Sequence, residues 1–115
     1  MFRFEDLQIW RRAVALSDKL FDLADQLEES KKFRMAEQLR GAVLSISNNI
    51  AEGSGSSSKR EFKQFLNFSR RSVFETANML VICNRLKYVA NEQEAACLGE
   101  LEEISKMIIG FSRSL

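Results

Sequence analysis

The sequence predicts an all-α fold, an antiparallel up-down-up-down four-helix bundle, and three observations predict it. Four segments carry apolar residues at steps of three and four, and none shows the alternation of a strand. The chain contains no proline, so nothing need break a long helix. The stretches between the four segments are short, which makes consecutive helices antiparallel neighbours. With 115 residues, 45% of them apolar, the chain is expected to form one domain over residues 1–115 around a single core. A long hairpin pair that completes its core only on dimerising is the alternative.

The first helix is expected from about Glu5 to Leu27, with Leu7, Trp10, Val14, Leu20, Phe21, Leu23 and Leu27 as its stripe. The segment "EESKKF" separates it from a second helix, roughly Lys32 to Glu52, striped by Met35, Leu39, Ala42, Val43, Ile46 and Ile50. Gly53 suits a left-handed cap that ends this helix, and "GSGSSS" from Gly53 to Ser58 reads as a flexible tip. Ser58 with Glu61 three residues later forms a capping box, which opens a third helix running to about Tyr88. Asn91 with Glu94 repeats that signal and opens a fourth, ending near Arg113.

Composition excludes several chemistries. There is no histidine, hence no Ser-His-Asp or Cys-His nucleophile and no His-ligated zinc or iron. A carboxylate-bridged di-iron bundle wants Glu-x-x-His pairs, which are absent too. "GSGSSSKR" does not match phosphate-loop spacing, which argues against an NTPase. No apolar run reaches the roughly 18 residues of a membrane span, and "MFRFEDLQIW" lacks the pattern of a secretory signal. The expectation is a cytoplasmic protein without metal or cofactor, whose Cys83 and Cys97 stay reduced within the apolar pattern.

The end of the second helix, "SISNNIAEGS", places Asn49 toward the bundle or its edge, flanked by Asn48 and Glu52. A polar group left buried and unpaired there costs about 1–3 kcal/mol. Ser69, Ser72 and Glu75 on the third helix are the expected partners, so that a contact from Asn49 or Glu52 to Ser72 or Glu75 fixes the register. The catalytic alternative pairs Glu52 and Glu75 as acid and base, with Asn49 beside them; the chain is expected not to be an enzyme.

These residues also carry a resemblance. Phe4, Leu7, Ile9 and Trp10 open a pattern continued by Gln38, Leu39 and Arg40. A core of Ser45, Ile46, Asn49, Ile50, Ala51, Glu52 and Gly53 follows, and then Ser72 and Glu75. Together they resemble the four-helix-bundle proteins encoded in intervening sequences of 23S ribosomal RNA genes. That family includes the accessory variability protein of diversity-generating retroelements. The chain departs from the pattern at Gly41, Ser47 and Arg71, where a second arginine, a proline and a glycine are usual. The resemblance implies a ring-forming bundle, commonly a pentamer. For the retroelement branch it implies binding of RNA or DNA and of a reverse transcriptase.

Net charge is only +1, yet it is unevenly distributed. Acids dominate from Glu5 to Glu29 and from Glu92 onward. Bases dominate from Lys31 to Glu52 and more strongly from Lys59 to Lys87, where only Glu61 and Glu75 oppose them. Acidic and basic helices either attract one another or leave a basic stripe for phosphates. The candidate phosphate contacts are Lys31, Lys32, Arg34, Arg40, Lys59, Arg60, Lys63, Arg70 and Arg71. The third helix is also apolar around most of its circumference, and Phe68, Phe74 and Val81 cannot share the face of Phe62, Leu66 and Leu80. The excess predicts a homo-oligomer with those three residues in its interface. The sequence therefore predicts a self-associating adaptor that binds nucleic acid through its second and third helices without sequence preference. The alternative is a structural or protein-interaction oligomer with no nucleic-acid ligand.

Overall fold

The computed structural model describes residues 1–115 and is a rod of 44 × 21 × 20 Å. A 3₁₀ turn, Arg3–Asp6, leads into α1 (Gln8–Glu29), α2 (Phe33–Ser54), α3 (Lys59–Arg85) and α4 (Asn91–Arg113). At 1.5 Å per residue the helices are about 33–40 Å long, so each runs nearly the length of the rod. The four run alternately up and down around one core of 24 buried apolar residues. On α1 the buried face is Ile9, Ala13, Leu16, Leu20, Leu23 and Leu27, with Trp10 and Phe21 only flanking it. On α2 it is Ala36, Leu39, Val43, Ile46 and Ile50, and on α3 Phe62, Leu66, Val73, Leu80 and Cys83. Leu101, Ile104 and Ile108 of α4 close it.

Several boundaries differ from the sequence expectation, each for a local reason. The chain enters α1 through the 3₁₀ turn, where the Phe2 amide donates to the Glu5 carboxylate at 2.8 Å. The first and third helices both end in Schellman turns. Lys31 (φ 65°) and Lys87 (φ 64°) are left-handed, and the amides of Lys32 and Tyr88 reach back to the carbonyls of Leu27 and Cys83, both at 2.8 Å. That turn stops α3 at Arg85, short of Tyr88. The Ser58 cap is present, with its hydroxyl accepting from the Glu61 amide at 3.1 Å. Asn91 is no cap: Ala90 precedes α4, and the Asn91 side chain accepts from Asn84 at 2.8 Å across the turn.

Gly53 is the main correction. It lies inside α2, which continues to Ser54, and no glycine has a positive φ. A methyl at Gly53 would sit 2.7 Å from the Phe65 Cβ and 2.9 Å from the Phe62 ring. The glycine is there so that α3 can approach the α2 backbone, and the α2–α3 turn shrinks to Gly55–Ser58. No helix is long and apolar enough to cross a membrane.

Candidate nucleic-acid interface

Because α2 and α3 are antiparallel, the predicted cations do not form one stripe. Lys31, Lys32 and Arg34 lie at the end of the rod where α2 begins and α3 finishes, joined there by Arg85 and Lys87. Lys32 places its ammonium 4.9 Å from the Tyr88 ring centroid, a cation–π contact across the two turns. Lys59, Arg60 and Lys63 occupy the opposite end, and Arg70 and Arg71 lie midway along α3.

Arg40 does not belong among the phosphate contacts. Its guanidinium donates to Asp25 at 2.7 Å and to Glu28 and Glu37 at 2.9 Å each. Hydrogen bonds to Asp25 and Glu28 push its pKa still higher, so it is a permanent cation already surrounded by carboxylates. It clamps α2 to α1. Lys59, Arg60, Lys63, Arg70 and Arg71, in contrast, have no carboxylate within 4 Å.

A convergence of cations without acidic neighbours lies between α3 and α4. Lys63, Arg70 and Arg113 line a 210 Å³ groove floored by Leu66 and Ile108, and no acid lines it. Arg70 is held in place: its Nε donates to the Ser105 hydroxyl at 3.3 Å, and its guanidinium lies 5.0 Å from the centroid of the Phe74 ring. Arg113 escapes a helix-by-helix charge count because α4 is acidic in total. Its signal is the topology, since antiparallel packing sets the end of α4 beside the start of α3. A wider groove of 660 Å³ continues along the same seam past Phe74, Ala77, Leu98 and Lys106.

On the other side of α3 the polar signature residues form a hydrogen-bonded relay. Ser69 donates to the Ile46 carbonyl at 2.7 Å across the helix pair. Ser72 donates to the Ser45 hydroxyl at 2.8 Å, and the Asn49 amide donates to the Ser45 carbonyl and hydroxyl at 2.9 and 3.0 Å. Register is thus carried by Ser45, which was not among the expected partners, rather than by a direct contact from Asn49 or Glu52. Glu52 and Glu75 are both exposed and make no hydrogen bond to each other. Only Glu75 lines the 460 Å³ groove that opens over Ser45, Asn49 and Ser72. The acid–base pair of the catalytic alternative is therefore not assembled. No cluster of Cys, Asp and Glu is arranged to hold a metal ion.

The three predicted interface residues are exposed: Phe68 at 38%, Phe74 at 58% and Val81 at 46%. They do not form one patch. Phe74 and Val81, seven residues apart, share the flank toward α4. Phe68 lies on the flank toward α2, with the exposed Ile82 four turns further along. Leu44 of α2, outside the apolar stripe of its helix, is exposed as well. Cys83 and Cys97 are free and buried, and burial pushes both thiols above their ordinary pKa of 9.0.

Residues 5–110 match the model of a family described as 23S rRNA-intervening sequence protein. Among solved structures, the chain is similar to a protein of unknown function from the S23 ribosomal protein family of Bacteroides thetaiotaomicron. The two are 26% identical with a TM-score of 0.86, over 90% of this chain and 97% of that one. No curated protein matches the sequence at a significant level.

Proposed function

The chain belongs to the 23S rRNA-intervening sequence protein family, and from that premise we propose that it is a cytoplasmic, non-enzymatic adaptor that self-associates and binds nucleic acid through phosphate contacts. One observation carries the reading: Lys63, Arg70 and Arg113 converge on a groove without any acid, while Arg40 and Arg12 are occupied by carboxylates. Such a groove attracts phosphate oxygens and releases counterions when it binds them. Lys59 and Arg60 extend the positive surface toward the tip of α3. The exposed Phe68, Phe74 and Val81 support self-association into a ring, pentameric as the resemblance implies, which would repeat the groove in each subunit.

The test is a titration of labelled single-stranded RNA and DNA at two salt concentrations. Three neutralised phosphates predict an affinity loss of roughly twentyfold between about 50 and 200 mM salt on a single strand. No binding at the lower salt removes the adaptor reading. The second reading, an oligomer without nucleic acid, is favoured by the same exposed apolar residues. It predicts self-association by light scattering with no affinity for either nucleic acid. A retroelement reverse transcriptase is the partner to test by co-purification if such a gene lies adjacent.

A further inference from the structure

Three concavities of α3 have Arg70 as a common wall. They are the 210 Å³ cation groove, the 660 Å³ groove further along the α3–α4 seam, and a 230 Å³ hollow shared with Arg71 and Phe74. Its guanidinium is fixed where they meet. Nε donates to Ser105 at 3.3 Å, and the central carbon lies 5.0 Å from the Phe74 centroid. No carboxylate comes within 4 Å of it, so its charge is not spent inside the fold. Phe74 is the one aromatic residue lining the 660 Å³ groove, and it is 58% exposed. Around it the wall is mostly small or aliphatic, and Ala77, Ala95 and Gly99 keep the groove wide. Lys63, Arg70 and Phe74 follow one another at steps of seven and four, which sets them on one face of α3. At 1.5 Å per residue, Arg70 lies about 10 Å along the helix from Lys63, and Phe74 about 6 Å beyond it.

A row of cations leading to an exposed ring that already carries a guanidinium has a specific use. Proteins hold single strands by tracking the backbone along a positive groove and stacking bases on aromatic faces, with arginine adding a cation–π contribution. A base inside a duplex has both faces covered by its neighbours and cannot make that stack. We infer that the α3–α4 seam takes single-stranded rather than paired nucleic acid, with an unpaired base stacked on Phe74 beside the phosphate contacts of Lys63, Arg70 and Arg113. Stacking tolerates every base, so the site selects strand class and not sequence. The inference rests on the phosphate reading above and adds the class of strand to it. One ring cannot stack a base and pack against a second copy at once. Phe74 therefore goes to the strand, and Phe68 and Val81 remain for self-association.

The experiment titrates labelled oligothymidylate and a blunt DNA duplex of equal length against wild type, Phe74→Ala and Phe74→Tyr, at low and moderate salt. Charge alone favours the duplex, whose phosphates are the more densely spaced. The stacked base reverses that order, and oligothymidylate is expected to bind more tightly. Phe74→Ala, at an exposed position, should weaken oligothymidylate binding roughly fivefold to a hundredfold. It should leave duplex affinity, the salt slope and the mass by light scattering unchanged. Phe74→Tyr keeps the ring and should behave as wild type. A fluorescent aminopurine within the strand should be quenched on binding to wild type and Phe74→Tyr, and not on binding to Phe74→Ala. Equal affinity for strand and duplex, or no effect of Phe74→Ala on the strand, overturns the stacking site and leaves the phosphate reading standing. Failure of both nucleic acids to bind at low salt overturns the two together. Dissociation of an oligomer by Phe74→Ala, with strand and duplex affinity falling in step, overturns the stacking site and assigns the ring to a subunit contact.

Discussion

The two seams of α3 are built differently. Toward α2 the backbones approach until Gly53 lies under Phe65, and Ser69 and Ser72 tie the pair with hydrogen bonds of 2.7 and 2.8 Å. Toward α4 the helices part around grooves of 210 and 660 Å³, and the polar bonds across are Arg70 to Ser105 at 3.3 Å along the seam and Asn84 to Asn91 at 2.8 Å beside the turn. The close seam fixes how the helices register. The open one leaves room for cations that no carboxylate neutralises. Charge by itself does not separate structural from available groups: Arg40 and Arg70 both lie within basic helices, and only their surroundings differ.

The largest effect is expected from the open seam. Replacing Lys63, Arg70 and Arg113 together with glutamine should weaken single-strand binding at low salt by one to two orders of magnitude, about 0.7 being lost from the salt slope per cation. Circular dichroism should show the helices unchanged. Arg40→Gln reverses the pattern: thermal stability falls because Asp25, Glu28 and Glu37 are left facing one another, while the salt slope is unaltered. Equal effects of the two variants on binding would erase the distinction between the arginines. On the close seam, Gly53→Ala forces a methyl against the Phe65 Cβ and should cost about 1–3 kcal/mol in urea unfolding. A neutral result would mean that α3 can shift without penalty.

Smaller effects sharpen the contrast at the end of the rod where α2 begins and α3 finishes. Lys31→Gly and Lys87→Gly should each stabilise by about 1 kcal/mol, since a left-handed backbone costs an L side chain about that much. Smallest is the alkaline dependence of the buried thiols. Their pKa is raised in the folded state, so the unfolded chain releases protons first as pH climbs. The stability contribution is complete below about pH 9, the ordinary thiol value, and declines above it. Replacing Cys83 by alanine should flatten the urea midpoint between neutral and alkaline buffer.

The helices themselves were legible because period, caps and short turns are local properties, and the four expected segments match the four observed. What escaped was whatever depends on a neighbour. Gly53 beside a serine tract looks like a terminator until the Phe65 and Phe62 side chains are seen against it. Asn91 with Glu94 has the letters of a capping box, but Asn84 claims the asparagine across the turn. The acidic total of its helix hides Arg113, and Arg40 reads as free in the sequence because two of the carboxylates around it lie on α1. The signature residues were found by pattern alone. Their pairing through Ser45 required knowing how α2 and α3 slide past each other.

The separation of Phe74 and Val81 from Phe68 and Ile82 has a geometric consequence. If the two flanks, facing different directions, were to fit one another, a head-to-tail contact between two copies would leave one of each kind vacant at the extremities. Growth in such a head-to-tail assembly would stop only when the turn imposed by each added copy brings the last to the first. The stoichiometry of such an assembly would be written in the angle between two flanks of one helix.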